Sequence, residues 1–552
     1  MKRQMSELQN ERLNFKPIIP SDLKDVSNIF LKEGEKTKAN TNEKQLQSIF
    51  VKTFGKPIMH LEKAPKKENS PIKVGVVFSG GQASGGHNVI TGLFDALKEL
   101  NKDNILIGFL NGPSGIINNE IKTLTDDVLQ SYRNQGGFDL IGSGRTKIET
   151  KEQLKKSLET ANELELDGLV VIGGDDSNTN AAVLAEYFEN NNCKTRVIGV
   201  PKTIDGDLRN EHIEISFGFD TACKVYSELI GNIATDSLSA KKYYHFIKLM
   251  GRSASHIALE CALKTHPNIT IIGEEVEKEN KTLKEITNEI ADIIEKRSSL
   301  NKNYGIVLIP EGLIEFIPEM KILISELNTL LAENTPHHKR INSMSLFEEK
   351  VHYILDNLTD DSKKAFLHLT EDIQKQLLLD RDPHGNVQVS LIETEKLLIQ
   401  TVNAELKKRK SYKGKFKALS HFFGYEGRSG MPSNFDAQYC CSLGRWAAVL
   451  INEGLTGYMS CVYDLNKPVE NWKAKAVPIT MLMNIEIRQG KPKPVIKKAL
   501  VELDSKAFLF LLKNRKNWHV DDCYLSCGAI QYFGNRKITD TLPITIREDI
   551  ND

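Results

Sequence analysis

Seven short apolar runs, most followed by glycine or polar residues and then by a helical repeat, set the pattern of this chain. KVGVVFS (73–79), NILIGF (104–109), DGLVVI (167–172) and RVIGV (196–200) are brief, and most are rich in β-branched residues, so they read as strands. HFIKLM (245–250), NITIIG (268–273) and YGIVLIP (304–310) resume the pattern further on. Between them, HNVITGLFDALKEL and SASHIALECALK carry apolar residues at helical spacing. Continuous apolar strands alternating with helices predict mostly parallel sheets covered on both faces. Two such groups predict an α/β chain of two doubly wound, Rossmann-like domains, with the loops at strand C-terminal ends lining a cleft.

The texture changes at about 316–410. Strand signals fade, and amphipathic stretches such as MKILISELNTLLAEN and SLFEEKVHYILDNL predict a helical insertion. Periodicity leaves its role open between lid, oligomer surface and padding. DAQYCCSLGRWAAVLINE (436–453) reads as a long helix and TGYMSCV as a strand. Residues 1–70 look polar and irregular and end in KAPKKENSP, a linker into the first core strand. No long period repeats, which excludes a solenoid.

At 552 residues the chain exceeds one ordinary core, so about two to four domains are expected. Lys+Arg and Asp+Glu are both 73, so no overall basic field favours nucleic acid or a membrane surface. MKRQMSELQNERLNFK has no apolar core behind its basic residues and is not expected to be a secretory signal. No apolar run approaches the roughly 20 residues of a membrane span. The eight cysteines lack paired metal spacing, CYLSC (523–527) included, and are expected to be reduced thiols in a cytoplasmic protein.

Every candidate site residue lies just after an expected strand or in a glycine-bearing loop. FSGGQASGGHN (78–88) lets backbone N–H groups approach an anion closely, or is simply a tight strand–helix turn. GSGRTK (142–147) adds Arg145 and Lys147, as anion ligands or as a solvated basic loop. VVIGGDDS (170–177) ends a strand in two glycines and then sets Asp175 and Asp176 at a helix start, where a phosphate would otherwise be welcome. VPKTIDGDL (200–208) follows a strand and holds Lys202, Thr203, Asp205 and Asp207. That set suits base chemistry beside a bound phosphate, or a polar turn with a local ion pair. LMGRSASH (249–256) places Arg252 at an expected helix N-terminus, where it opposes the dipole and so argues for an anion partner. PEGL (310–313) offers Glu311, and GYEGRSG (424–430) offers Tyr425, Glu426 and Arg428, suited to a sugar phosphate or to structural turns.

GGDDS, PKTIDGD, MGRSASH, PEG and GYEGRS stand in the order and rough spacing of the phosphofructokinase family. From about residue 70 onward the chain resembles that family's long, pyrophosphate-dependent branch. The resemblance implies a phosphofructokinase fold and a glycolytic reaction, reversible, in which the C1 hydroxyl of fructose 6-phosphate attacks pyrophosphate. The products are fructose 1,6-bisphosphate and phosphate. It implies 71–235 and 429–490 as a pyrophosphate- and Mg²⁺-binding domain. It implies 236–428 and 491–552 as a fructose 6-phosphate domain containing the insertion, with 1–70 as an extension. Gly80 and Gly81, with Arg145 and Lys147, would bind pyrophosphate, and Asp175 would hold Mg²⁺. Asp205 would accept the C1 proton with Asp207 in support, and Lys202 would stabilise the transferring group. Thr203, Ile204, Asp205, Met250, Gly251, Arg252, Glu311, Tyr425, Glu426, Gly427 and Arg428 would hold the sugar phosphate, Arg252 also acting in catalysis. Lys242 and Tyr243 would reach a neighbouring subunit's site, implying a homodimer or a larger homo-oligomer. No nucleic acid or membrane partner is implied.

The second aspartate, Asp176, stands where the ATP-using relatives have a small glycine, and so does Lys202. An unpaired carboxylate at 176 would crowd and repel the α-phosphate of ATP, which answers why two negative charges follow the glycines. Gln82 and Ser84 depart from the family, which has prolines there. An ATP-dependent phosphofructokinase would favour glycine at 176 and 202. A catalytically silent regulatory subunit would not need the retained Asp175, Lys202, Asp205, Arg252 and Arg428. Other kinases with a GGDG-type turn, such as NAD kinases, would not need PKTIDGD and MGR in this order.

Overall fold

The computed structural model describes residues 5–39, 41–66, 68–332, 335–379, 387–488, 491–530 and 542–547. The expected extension, insertion and C-terminal segment fall in part outside these residues. In chain order the strands are β1 (Ile29–Lys36), β2 (Pro57–Lys63), β3 (Lys73–Ser79), β4 (Ile105–Phe109), β5 (Ile121–Leu124), β6 (Gly168–Gly173) and β7 (Arg196–Pro201). There follow β8 (Tyr243–Leu249), β9 (Ile269–Thr270), β10 (Tyr304–Pro310), β11 (Ala418–Phe423), β12 (Tyr458–Tyr463), β13 (Lys473–Pro478), β14 (Met483–Arg488) and β15 (Lys491–Ile496).

The described residues divide into two compact units: those within 5–222, 425–499 and 530–547 form the first, and those within 223–424 and 500–529 the second. Among the described residues, the first holds a sheet in the order β1-β2-β13-β12-β7-β6-β3-β4-β5. The central strands β4, β3, β6, β7 and β12 are parallel, and both flanks turn antiparallel. The chain places β4 on one side of β3 and later β6 on the other. The sheet therefore reverses winding between β3 and β6, where ligands bind in doubly wound folds. Ser79 and Gly173 are register partners at that point. On one side, helix Gly86–Leu100 packs on helix Asn434–Asn452. Gly92 and Gly444 have no Cβ to hold the two backbones apart: a side chain at Gly92 would meet the Cys441 backbone, and one at Gly444 the Val89 carbonyl.

Residues 1–70 are not an irregular extension. They supply β1 and β2, and β2 pairs with β13 to continue the sheet. Such flanking strands carry half-polar patterns, which a search for buried apolar runs passes over. Segment 491–499, expected in the sugar-phosphate domain, lies in the first unit because β15 pairs with β14 there.

The second unit has a parallel sheet in the order β11-β8-β10-β9. NITIIG forms only the two-residue β9, because the chain turns into helix Gly273–Lys278. There the buried Glu274 accepts hydrogen bonds from the Ser255 and Val501 N–H groups. Residues 316–410 are helical throughout most of their described length. Leu323, Leu327, Ile354, Phe366, Leu397 and Val402 join the same buried cluster as Phe246, Val307 and Ile309 of the sheet. The insertion is therefore part of this unit's core. Among the described residues no helix is long and apolar enough to cross a membrane.

Candidate active site

The reversal between β3 and β6 in the first unit gathers the glycine loops. β3 leaves into Gly80 at φ +90°, a conformation that only glycine adopts readily. The Gly80 N–H donates to the Gly144 carbonyl at 2.8 Å, and Ser143 Oγ donates to the Gly80 carbonyl at 2.6 Å. GSGRTK is thereby laid against the first loop. A Cβ on Gly81 would sit 3.6 Å from both Arg145 Nη2 and Arg428 Nη1, so two guanidinium groups flank this glycine. Lys202, buried at the end of β7, donates from Nζ to the Gly81 carbonyl at 2.6 Å. Burial lowers its pKa to about 8; negative Asp205 opposes the fall and Arg145 adds to it. Ser84 is buried and donates to the Gly430 carbonyl at 2.9 Å, fixing the loop at one of the two positions where the family has proline.

Helix Asp175–Asn190 begins with the two aspartates. Ser177 Oγ donates to Ser79 Oγ at 2.8 Å, tying the helix start to β3. Asp176 is not an unpaired repulsive group: its Oδ1 lies 3.2 Å from Lys147 Nζ. The expectation is corrected, because GSGRTK packs beside the helix start and delivers its own counter-charge. Lys147 is correspondingly held on Asp176. In TIDGD, Asp205 stands half-exposed at a turn closed by its N–H donating to Thr203 Oγ1 at 3.1 Å. Ile204 and Asp207 point inward. Burial, then the charge of Asp205, raises the Asp207 carboxyl to about 7, opposed by Lys498. Lys498 Nζ lies 3.6 Å from Asp175 Oδ2 and 3.8 Å from Asp207 Oδ2. The sequence reading missed this residue, and VIKKAL contains nothing that marks it. Among the described residues no three His, Cys, Asp or Glu side chains form a metal cage. Asp175 alone fits Mg²⁺, which takes one or two carboxylates and completes its shell with phosphate oxygens and water.

In the second unit, Leu249 is level with Pro310 and Phe423 at the C-terminal end of the sheet. MGR and PEG therefore meet: Glu311 Oε2 accepts from the Gly251 N–H at 2.9 Å, and burial raises the Glu311 pKa. Met250 donates its N–H to the Phe423 carbonyl at 3.0 Å. Arg252 is exposed, but the helix begins only at His256, with Ser255 as the preceding cap residue. Its expected opposition to a helix dipole is corrected: the small residues 253–255 form a bend that places it about one turn ahead of the helix. Lys242 and Tyr243 sit exposed at the opposite end of β8 from Met250, about 20 Å along the strand. Tyr243 has φ +67°, an uncommon conformation for an aromatic residue.

Tyr425, Glu426, Gly427 and Arg428 were expected with these sugar-phosphate residues, but they belong to the first unit. Tyr425 and Glu426 are exposed and Gly427 is buried. Arg428 lies over the Tyr425 ring, 4.4 Å from its centroid, and beside Gly81. The unit boundary falls at Gly424, immediately after β11, four residues before the expected one at 428.

Residues 73–451 match the family described as Phosphofructokinase. The chain is 50% identical over 551 residues to the pyrophosphate–fructose 6-phosphate 1-phosphotransferase of Porphyromonas gingivalis, covering 99% of each chain. It is 53% identical over 535 residues to subunit beta 1 of the Arabidopsis thaliana enzyme of that name, covering 96% of this chain and 92% of the relative. The crystal structure of a pyrophosphate-dependent phosphofructokinase from Nitrosospira multiformis shares the fold at a TM-score of 0.54 and 15% identity, covering 87% and 96% of the two chains. This chain belongs to the phosphofructokinase family.

Proposed function

We propose that this protein transfers a phosphoryl group from pyrophosphate to the C1 hydroxyl of fructose 6-phosphate, reversibly, yielding fructose 1,6-bisphosphate and phosphate. The observation that carries this reading is the buried Lys202 ammonium on the Gly81 carbonyl, beside Gly80. It supplies a fixed charge at the donor loop, where the ATP-using pattern has glycine. The Asp176–Lys147 pair narrows the same site with a carboxylate in place of a second glycine. The names of relatives about 50% identical along the whole chain support the same donor.

In this reading the Gly80–Gly81 backbone, Arg145 and Lys202 take the pyrophosphate, and Arg428 adds a planar cation at the same loop. Preorganised charges of this kind act where negative charge develops during transfer. Asp205 accepts the proton of the C1 hydroxyl as that hydroxyl's oxygen attacks one phosphorus of pyrophosphate, and the bond from that phosphorus to the bridging oxygen breaks to release phosphate. Asp207, buried beneath it, supports the turn. When bound, Mg²⁺ on Asp175 would neutralise charge on the phosphoryl oxygens. Met250, Gly251, Arg252 and Glu311 orient the sugar phosphate. Lys242 and Tyr243 serve a neighbouring chain's site, so the reading includes a homo-oligomer, working in the cytoplasm.

The test is a coupled assay on the purified chain with fructose 6-phosphate and either pyrophosphate or ATP, with Mg²⁺ present. Turnover with pyrophosphate well above that with ATP is expected. Preference for ATP, or no turnover by the single chain, would overturn the reading.

A further inference from the structure

Lys498 lies beyond the stretch matched by the family, yet it stands between two of the acidic groups at the donor site. Its distances to Asp175 and Asp207, 3.6 and 3.8 Å, are those of a counter-charge shared by two carboxylates. The segment that carries it is attached to the elements bearing both. The Ile496 N–H donates to Thr179 Oγ1 at 3.2 Å, on the helix that begins with Asp175. The Ala499 N–H donates to the Asp207 carbonyl at 2.7 Å. Val495 and Ile496 are buried, so the tail of the β14–β15 hairpin is seated by packing.

We propose that Lys498 is a positioning residue of the phosphoryl-transfer site: its shared ammonium sets the separation between the Asp175 helix start and the 203–208 loop that carries Asp205. This rests on the function proposed above. Asp175 and Asp205 both act on the Asp207 carboxyl, and all three act on Lys202. Lys202 is committed to Gly81. Lys498 lies within 4 Å of both Asp175 and Asp207, so its removal lets the loop and the helix start move apart. Misplacement by about 1 Å costs up to about 10²-fold in rate.

The experiment compares wild type, K498M and K498R in the pyrophosphate assay, with Mg²⁺ titrations and thermal denaturation. K498M is expected to lose about 10- to 100-fold in kcat. Its KM for fructose 6-phosphate should stay within about threefold, since MGR and PEG are untouched. Its half-saturating Mg²⁺ concentration is expected to fall, because a positive charge is lost near Asp175. Direct Mn²⁺ binding without substrate, by calorimetry, should tighten in the same sense. K498R, which keeps the charge, should recover most of kcat. An unchanged kcat in K498M, weaker Mn²⁺ binding, or no recovery in K498R would overturn the proposal. A large fall in Tm for K498M would also overturn it, assigning the lysine to stability. Absence of pyrophosphate turnover in wild type would instead overturn the function itself.

Discussion

Lys202 answers to two demands that pull its charge in opposite directions. Burial at Gly81 gives a fixed donor, and the same burial brings its pKa down to about 8. In the free protein the ammonium is present below about pH 8 and lost above it. The kcat/KM for pyrophosphate, which reports the free enzyme, should therefore fall through about pH 8. Bound pyrophosphate holds the proton in place, so kcat should decline only at higher pH. Lys202→Met should abolish that limb; its persistence in the variant would assign the titration elsewhere. Asp205 is exposed enough to meet a hydroxyl, whereas Asp207 is not. Asp205→Ala should lower kcat by at least about 10²-fold, with little change in substrate KM. A variant retaining more than about a tenth of the activity would remove it from the role of base. The ion pair at Asp176 changes how donor choice works. Asp176→Gly would both open space and release the Lys147 ammonium to a longer polyphosphate. Slow ATP use is expected from this variant, with pyrophosphate use reduced moderately. Adding Lys202→Gly should reverse the preference in kcat/KM, read from paired titrations with each donor. If neither variant gains ATP turnover, another wall of the pocket excludes the nucleotide.

At the scale of elements, the site depends on the helix from Asp175 to Asn190 being seated on the sheet. Asn178 does much of this. Its buried amide donates to the Gly173, Gly174 and Val200 carbonyls at 2.6, 3.0 and 3.4 Å, joining the ends of β6 and β7. Asn178→Ala would remove these side-chain bonds, at about 0.5–1.5 kcal/mol for a typical one, while the Gly173 and Gly174 carbonyls keep the N–H groups of Lys202 and residue 178. A lower Tm and a lower kcat are expected together, since Asp175 and TIDGD flank the same strand ends. A variant with wild-type Tm would show that water or backbone movement replaces the amide. Strand legibility follows the same geometry. KVGVVFS and YGIVLIP match β3 and β10 residue for residue, because interior parallel strands are buried on both faces and read as unbroken apolar runs. β11, ALSHFF, lies at a sheet edge with much of its surface exposed and shows no such run.

For the molecule as a whole, the proposed reading makes one chain's site depend on another chain. Lys242 and Tyr243 are exposed and lie at the far end of β8 from MGR, so they do not serve the Met250 loop of their own unit. A chain with Asp205→Ala and a chain with Lys242→Ala and Tyr243→Ala together should each be poorly active. If sites are shared, dissociating, mixing and reassembling the two should restore activity through hybrid oligomers, each containing some intact sites. Hybrids that form, as followed by size and mass, but stay inactive would show that each site is built within one chain.

Which chemistry each loop could carry is legible from neighbouring residues alone. GGDDS, PKTIDGD, MGRSASH and PEG bind their residues covalently to strand ends, and a strand end followed by glycine is a local feature that the chain spells out. The sequence also carries the interior parallel strands, because burial on both faces leaves a continuous apolar signature. The charge partners and the allegiance of segments are set by folding. Asp176 meets Lys147, and Asp175 meets Lys498, only because separate segments pack at one helix start. YEGRS belongs to the first unit, and β1 and β2 extend its sheet, through contacts far apart in the chain. Coulombic and edge-strand interactions depend on distance in space, and periodicity along the chain records only which face is buried.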